Sequence, residues 1–168
     1  MIFDNLLTEN KDAFVSKVND IATFIGIKPE WLMFVMWFES RLNSHVQNKT
    51  SGATGLIQFM PSTAHSLGTT TDALAAMTSI QQLDYVQKYF TPYKGKIKAF
   101  TDTYLVVFFP AAIGQPDSYV IETKNLHASL IAKQNPIFDV NKDGIITKSE
   151  IKQRLIGMVP DGFKALFT

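Results

Sequence analysis

The chain has 168 residues, of which 46% are hydrophobic and 18% charged, a composition typical of a folded globular protein rather than a disordered one. A formal net charge of +1 gives no basic footprint of the kind that nucleic-acid binding needs. Because cysteine is absent, disulfides, thiol catalysis and zinc–thiolate sites are excluded.

Two helices are predicted in the first quarter of the chain. Apolar residues recur at helical spacing over residues 11–25, and Gly26 ends that helix. Pro29 can begin a second helix, predicted over residues 29–41. This second helix is apolar almost all round, so we expect it to be buried, with Glu39 in its last turn.

The remaining segments also favour helices. Residues 43–55 are polar and form a predicted loop, and residues 72–90, with apolar side chains three apart, predict one long helix. Residues 101–109 are aromatic and β-branched, which favours a strand by propensity, but the lack of a partner strand nearby favours a buried helix. Residues 125–134 are a further helical candidate. The predicted fold class is mainly α, in a single domain over residues 1–168.

Residues 139–150 match the twelve-residue EF-hand calcium loop at every defining position. Alternating oxygen ligands, a glycine for the sharp turn and a final bidentate glutamate favour Ca²⁺ over Mg²⁺. A simple Asp/Asn/Gly turn before a helix is the alternative. The predicted metal ligands are Asp139, Asn141, Asp143, Ile145 through its carbonyl, Thr147 through a water, and Glu150.

This loop differs from a sensor EF-hand. It occurs once, and Pro136 disfavours a helical Asn135, so the entering helix is expected to end before the loop. We therefore predict a structural Ca²⁺ site that fixes a helix over residues 148–158, in an EF-hand-like appendage at residues 135–158. A calcium-regulated interaction protein is the competing hypothesis.

Glu39 is the candidate catalytic residue. It follows seven consecutive apolar residues, 32–38, and such surroundings should raise the pKa of its carboxyl. A raised pKa suits a general acid near neutral pH. The alternative is a solvent-facing helix end, with Glu39 paired to Arg41.

Two segments carry a family resemblance. Glu39-Ser40-Arg41 and residues 52–64, Gly-Ala-Thr-Gly-Leu-Ile-Gln-Phe-Met-Pro-Ser-Thr-Ala, resemble the soluble lytic transglycosylase family, which has the goose-type lysozyme fold. Within these two segments the only departure is Ile57, where the family usually has methionine. Residues 79–86 continue the similarity as a helix behind the cleft, and the likeness covers about residues 29–115. The resemblance implies a lysozyme-like helical domain that acts on peptidoglycan glycan strands.

The resemblance also implies roles for individual residues. Glu39 becomes the acid and base. The family's later Ala-Tyr-Asn-Ala-Gly segment is missing, and Tyr104 is the candidate to replace its tyrosine, with an ordinary core aromatic as the alternative. Core packing is likewise the alternative for Phe59 and Met60. The implied substrate-binding residues are Ser40, Gly55, Gln58, Phe59, Met60 and Tyr104.

The motifs contain only one acid. Most glycosidases use two carboxylates, whereas here the nearest candidates for a second one, Asp72, Asp84 and Asp102, all lie well downstream of the motifs. The family works with one glutamate, assisted by the substrate's own N-acetyl group, and leaves a 1,6-anhydro ring. This favours a lytic transglycosylase that needs no cofactor for its chemistry over a hydrolytic lysozyme. An alternative of another class is a non-catalytic glycan-binding or structural module of a phage or secretion machine.

The N-terminus has no basic and apolar signal-peptide pattern, and the apolar stretch 105–113 is about half of the ~20 residues that a membrane helix needs. We expect a monomer without membrane insertion. It would be made in the cytoplasm and act at the bacterial cell wall after phage- or secretion-type delivery.

Overall fold

The computed structural model describes every residue from Met1 to Thr168, and its regular structure is helical, without a β-strand. The prediction of a mainly α chain is therefore confirmed. The α-helices are α1 (Lys11–Ile25), α2 (Pro29–Ser40), α3 (Pro61–Ser66), α4 (Thr71–Ala76), α5 (Ser79–Phe90), α6 (Phe100–Phe108), α7 (Ala128–Gln134) and α8 (Lys148–Gly157). Short 3₁₀ helices lie at Asp4–Leu6, Thr91–Tyr93, Pro110–Ala112 and Asp161–Leu166.

Internal contacts group the chain into two compact units. The first unit is Met1–Gly95 and the second unit is Lys96–Thr168. The single domain over residues 1–168 stays a prediction.

The core of the first unit is built where α1 packs against α2 and α5. α1 buries Phe14, Val18 and Ile21 at helical spacing. In α2 every side chain from Trp31 to Met36 is buried, as its apolar sequence predicts. The helix ends where Arg41 adopts a left-handed conformation, with φ of 56°.

The predicted helix over residues 72–90 is two helices. Met77 is extended, with φ −77° and ψ 151°, and separates α4 from α5. Thr78 then caps α5: its side chain accepts from the Gln81 N–H, and the Gln81 side chain accepts from the Thr78 N–H. The apolar repeat runs across this break because residues of both helices, such as Leu74 and Leu83, are buried.

In the second unit, α6 packs against α8 and the Pro110–Ala112 turn. Its side chains from Phe100 to Val106 are all buried, in agreement with the buried helix favoured for residues 101–109. α7 is shorter than the predicted helix over 125–134, because His127 is extended at its N-cap. α7 ends before Pro136, as expected.

A buried ion pair joins α6 to α8. Lys148 Nζ lies 2.7 Å from Asp102 Oδ1, and the two side chains are 8% and 4% exposed. Lys148 also donates to the carbonyls of Ala112 and Gln115, at 3.3 and 3.0 Å, and Asp102 accepts from the Lys98 N–H. These hydrogen bonds offset the desolvation of both charges and fix the start of α8.

No single helix has both the length and the hydropathy of a membrane span; α1 and α2 meet those criteria only as a pair, bent by 114°.

Candidate functional site

A tight hairpin follows the loop after α2. Thr54 and Phe59 exchange backbone hydrogen bonds of 3.0 and 2.8 Å, and the Gln58 N–H donates to the Gly55 carbonyl at 3.0 Å. Gly55 and Gln58 both have positive φ, 78° and 53°. We call residues 54–59 the wall hairpin, since the resemblance to soluble lytic transglycosylases implies that this segment forms a wall of the cleft.

Ser40 fastens the last turn of α2 to this hairpin. Its hydroxyl is 2.9 Å from the Met36 carbonyl and 3.0 Å from the Leu56 carbonyl, and its side chain is buried. A hydroxyl has one proton to donate, so the two carbonyls share it. This hydrogen bond fastens to the hairpin the turn of α2 that carries Glu39.

Gln82 of α5 holds the hairpin from its other side. The side chain is fully buried, and its Oε1 accepts from the Leu56 N–H at 2.8 Å. Its Nε2 donates to the carbonyls of Ser44 and Leu74, at 2.6 and 2.7 Å. One buried amide thus joins the loop after α2, the wall hairpin and α4, and its orientation follows from having one donor and two acceptors around it.

One tyrosine, Tyr89, lies near Glu39. Burial raises the pKa of Tyr89 to about 12, and the charges of Tyr93 and Glu39 act in the same direction. Tyr89 is therefore close enough to Glu39 for their charges to interact, and its hydroxyl stays protonated at neutral pH. The Arg41 guanidinium lies over the Trp37 ring, 4.1 Å from the centroid.

Exposure separates the predicted substrate-binding residues of the hairpin region. Phe59 is buried and meets the Tyr89 ring edge-on at 6.1 Å, so the core-packing alternative describes its surroundings. Met60 is 45% exposed. Gln58 is half-buried and donates to the Gly55 carbonyl at 3.1 Å. A ligand can therefore reach Gln58 and Met60 more easily than Phe59, while the substrate-binding roles of all three stay predictions.

A separate surface cavity of about 430 Å³ lies beyond the end of α2. Arg41, His45 and Ser79 are among its lining residues, whereas Glu39 is not.

Residues 18–100 match the family model described as the transglycosylase SLT domain. No curated protein and no solved structure matches the chain. The SLT region contains Glu39, the wall hairpin, Gln82 and Tyr89. The match supports the family resemblance, and it indicates a glycosidase of the lytic transglycosylase kind with peptidoglycan as its substrate.

Tyr104 lies beyond the SLT region, in α6 of the second unit. It is 2% exposed, and its ring packs against Phe108 and Phe138 with centroid distances of 5.6 Å each. These contacts are those of a core aromatic, and the substrate-binding role of Tyr104 stays a prediction.

The sequence patterns missed Gln82 and Tyr89 as candidate site residues of the SLT region. A polar Gln82 beside the buried Leu83 and Val86 was a usable signal, since a buried amide requires partners. Tyr89 carried no comparable signal, because the resemblance directs the search for a tyrosine to the segment after residue 100.

The predicted calcium loop of the second unit, residues 139–150, is closed by hydrogen bonds to its own carboxylates. Asp139 Oδ2 accepts from the Gly144 N–H at 3.1 Å. Glu150 Oε1 accepts from the Val140 N–H at 3.2 Å, and its Oε2 accepts from the Thr147 N–H at 2.9 Å. The other Asp139 oxygen, Oδ1, is buried and has no hydrogen-bond partner.

The outer edge of this loop is covered by a segment of the same unit. The Ile121 N–H donates to the Ile146 carbonyl at 2.8 Å, and the Lys148 N–H donates to the Tyr119 carbonyl at 2.9 Å. This antiparallel bridge satisfies backbone groups of the single loop. The structure has no group of three or more His, Cys, Asp or Glu side chains positioned to hold a metal ion.

Proposed function

We propose that the chain cleaves the β-1,4 bond between N-acetylmuramic acid and N-acetylglucosamine in peptidoglycan as a lytic transglycosylase, with Glu39 as its acid and base. The observation that carries this proposal is the position of Glu39. It lies in the last turn of a buried helix that Ser40 fastens to the wall hairpin, which Gln82 also holds, within the region that matches the SLT domain.

The proposed reaction needs one carboxyl group. Glu39 donates its proton to the glycosidic oxygen as the bond to C1 of N-acetylmuramic acid breaks, and the acetamido oxygen of that sugar attacks C1. The C6 hydroxyl oxygen then displaces the acetamido oxygen from C1, and its proton passes to the Glu39 carboxylate. Glu39 regains its acid form, no water is consumed, and the product ends in a 1,6-anhydro ring.

The neighbouring residues have supporting roles in this proposal. Ser40 fixes the last turn of α2 and hence Glu39, rather than binding sugar directly. Gly55 lets the hairpin turn against Gln82. Gln58, with an amide that both donates and accepts, is the proposed partner of a substrate N-acetyl group, and Met60 gives a sugar face an exposed apolar contact.

Hydrolysis of the same bond is the second candidate outcome. It would call for another carboxylate to orient water. Two of the three downstream candidate acids already have partners, since Asp84 pairs with Lys17 at 2.7 Å and Asp102 pairs with Lys148. These ion pairs favour the reaction with one carboxyl group.

The test is digestion of purified peptidoglycan followed by mass spectrometry of the products. We expect anhydromuramic ends, lighter than reducing ends by one water. Glu39→Gln should lower the rate by at least about a hundredfold. Glu30→Gln, at the other end of α2, is the matched control and should cleave like the parent. Reducing ends would indicate a lysozyme. No cleavage by the parent, or equal cleavage by parent and Glu39→Gln, would favour a non-catalytic glycan-binding or structural module.

We also propose that residues 139–150 hold a structural Ca²⁺ ion. The buried, unpartnered Oδ1 of Asp139 fits a hard cation, since a buried carboxylate oxygen without a partner is costly. The proposed ligands are Asp139, Asn141, Asp143, Ile145, Thr147 and Glu150. The ion would add stability to the second unit and takes no part in bond cleavage. Monomeric action at the cell wall after phage- or secretion-type delivery remains part of the proposal.

A further inference from the structure

The side chains of Gln82 and Tyr89 lie on one face of helix α5. Gln82 and Tyr89 are seven residues apart, which is two helical turns, so both side chains point to the same side of α5. Gln82 is fixed to the wall hairpin through Leu56. Tyr89 therefore lies on the face of α5 that braces the hairpin.

The ring of Tyr89 is held in place by aromatic contacts. It meets Phe59 of the hairpin edge-on, with centroids 6.1 Å apart and planes at 86°, and it meets Phe90 at 5.9 Å. Phe59 and Phe90 are both buried, whereas Tyr89 is only half-buried. The ring thus has a fixed inner edge and an outer part that a ligand can contact.

The hydroxyl of Tyr89 lies in the electrostatic field of Glu39. Burial and the charges of Tyr93 and Glu39 raise the pKa of Tyr89 to about 12, so the phenol is neutral under all ordinary conditions. A neutral phenol can donate its proton to a carbonyl, hydroxyl or ether oxygen, whereas a phenolate cannot. Sugar rings carry such oxygens on their edges and apolar C–H groups on their faces, and a half-buried tyrosine fits both.

We propose that Tyr89 is a substrate-binding residue of the Glu39 site, whose hydroxyl donates a hydrogen bond to an oxygen of the sugar bound against Glu39. This inference rests on the proposed function. It gives the first unit a tyrosine of its own, independent of Tyr104. Phe59 then acts through Tyr89, as the support that fixes its ring.

The test compares Tyr89→Phe with Tyr85→Phe. Both changes remove one hydroxyl from α5, and Tyr85 is the matched control because its ring contacts Lys88, with Nζ 4.7 Å from the centroid. The probe is a purified tetrasaccharide of alternating N-acetylglucosamine and N-acetylmuramic acid. Its binding is measured by calorimetry in a Glu39→Gln background, and its cleavage is measured with Glu39 intact.

We expect Tyr89→Phe to weaken binding and lower kcat/KM by about tenfold, the usual effect of losing one hydrogen bond to a ligand. The thermal midpoint should stay at the parent value, because phenylalanine keeps the ring contact with Phe59. Tyr85→Phe should match the parent in all three measurements.

The outcomes separate this inference from the proposed function. If the parent cleaves the tetrasaccharide and Tyr89→Phe binds and cleaves it equally well, the inference alone is overturned. A lowered thermal midpoint with unchanged binding also overturns it, since it assigns Tyr89 a purely structural role. If the parent neither binds nor cleaves the tetrasaccharide, both proposals are overturned.

Discussion

Gly55 and Gln82 are in such close contact that only glycine fits at position 55. A Cβ atom there would overlap Oε1 of Gln82 and lie 2.6 Å from its Nε2. The amide cannot move aside easily, because it is bonded to the backbone of Leu56, Ser44 and Leu74. The absence of a side chain at Gly55 and the buried amide of Gln82 therefore set the position of the wall hairpin together.

Replacing Gly55 by alanine should destabilise the protein more than backbone strain alone explains. Gly68 provides the control, because it has the same φ of 78° and no atom lies within 4 Å of the point that an alanine Cβ would occupy there. Gly68→Ala should cost about 1–2 kcal/mol from the left-handed conformation. Gly55→Ala adds the overlap with Gln82 and should cost about 3 kcal/mol or more. Urea unfolding measures both; equal losses would contradict the close contact.

Gln82→Glu should produce a pH-dependent loss of stability. The introduced carboxyl keeps the bond from the Leu56 N–H but turns its second oxygen towards the carbonyls of Ser44 and Leu74. Only the protonated form can donate to one of them, so burial and repulsion raise its pKa above the usual value of about 4.3. The folded state then binds more protons than the unfolded state.

The stability of this variant relative to the parent should therefore fall as pH rises from about 4 towards 7, and the deficit should reach about 2–4 kcal/mol. Gln87→Glu on the same helix is half-buried and serves as the control. Urea unfolding at both ends of the pH range shows whether the stability deficit of Gln82→Glu grows with pH. A deficit that does not change with pH would count against the two backbone carbonyls that face this side chain.

Local patterns were sufficient to predict α1 and α2, whose apolar spacing and burial agree with the structure. For α6 the local propensity favoured a strand, and the lack of a partner strand nearby was what favoured the buried helix that the structure has. Local patterns did not predict the break at Met77, because the apolar spacing of residues 74, 83 and 86 continues across it. The Thr78-x-x-Gln81 capping box was readable in the sequence and is the local feature that begins α5 there.

Only the parts of the candidate site that lie in short contiguous motifs could be predicted from the sequence. Glu39 and the wall hairpin lie in contiguous segments, so their residues were found by pattern. Gln82 reaches residues 26 and 38 positions away, and the charge of Glu39 affects the pKa of Tyr89 from a different helix. Such partners depend on how α5 packs, and spacing along one chain contains no information about that packing.

The raised pKa of Tyr89 predicts a loss of stability at alkaline pH. Between the ordinary tyrosine value of 10.0 and about 12, the folded state keeps a proton that the unfolded state has lost. Stability should therefore be complete below about pH 10 and fall as pH rises towards about 12. Tyr89→Phe should lose less over this range, whereas Tyr85→Phe should behave like the parent. Urea unfolding at about pH 9 and about pH 11.5 measures the free energy of unfolding of each protein. The same loss of stability between these two pH values in all three proteins would contradict the prediction.

The Asp102–Lys148 pair should be far more important to stability than a surface pair of the same unit. Asp102→Leu leaves Lys148 buried with only carbonyl partners, and should cost about 3–5 kcal/mol. Adding Lys148→Met should recover much of that loss, since no charge remains buried. The control is Asp117→Asn, which breaks the exposed Asp117–Lys152 pair of 3.2 Å and should cost at most about 1 kcal/mol. A double variant as unstable as Asp102→Leu would contradict this account.

Ca²⁺ should stabilise the chain through Glu150, and the substitution Glu150→Gln distinguishes the ligand role of this residue from its role in capping α8. Glu150 is both the last proposed ligand and the capping-box partner of Thr147 at the start of α8. Glutamine preserves that cap, because it also accepts from the Thr147 N–H, but it removes the charge and the paired oxygens that Ca²⁺ needs. Its amide nitrogen cannot accept from the Val140 N–H as Glu150 Oε1 does, so Glu150→Gln should be somewhat less stable than the parent in chelator and should fail to gain stability from Ca²⁺.

For the parent, Ca²⁺ at about a hundred times its Kd should add about 2.7 kcal/mol to the free energy of unfolding. Glu122→Gln, at an exposed position of the same unit, should respond to Ca²⁺ like the parent. Calorimetry and thermal melts with Ca²⁺, Mg²⁺ and chelator provide the measurement. If Ca²⁺ gives no binding heat and leaves the melting midpoint unchanged, Asp139 Oδ1 is not a calcium ligand. This oxygen is buried only in the folded state, so an ion bound to it must stabilise that state.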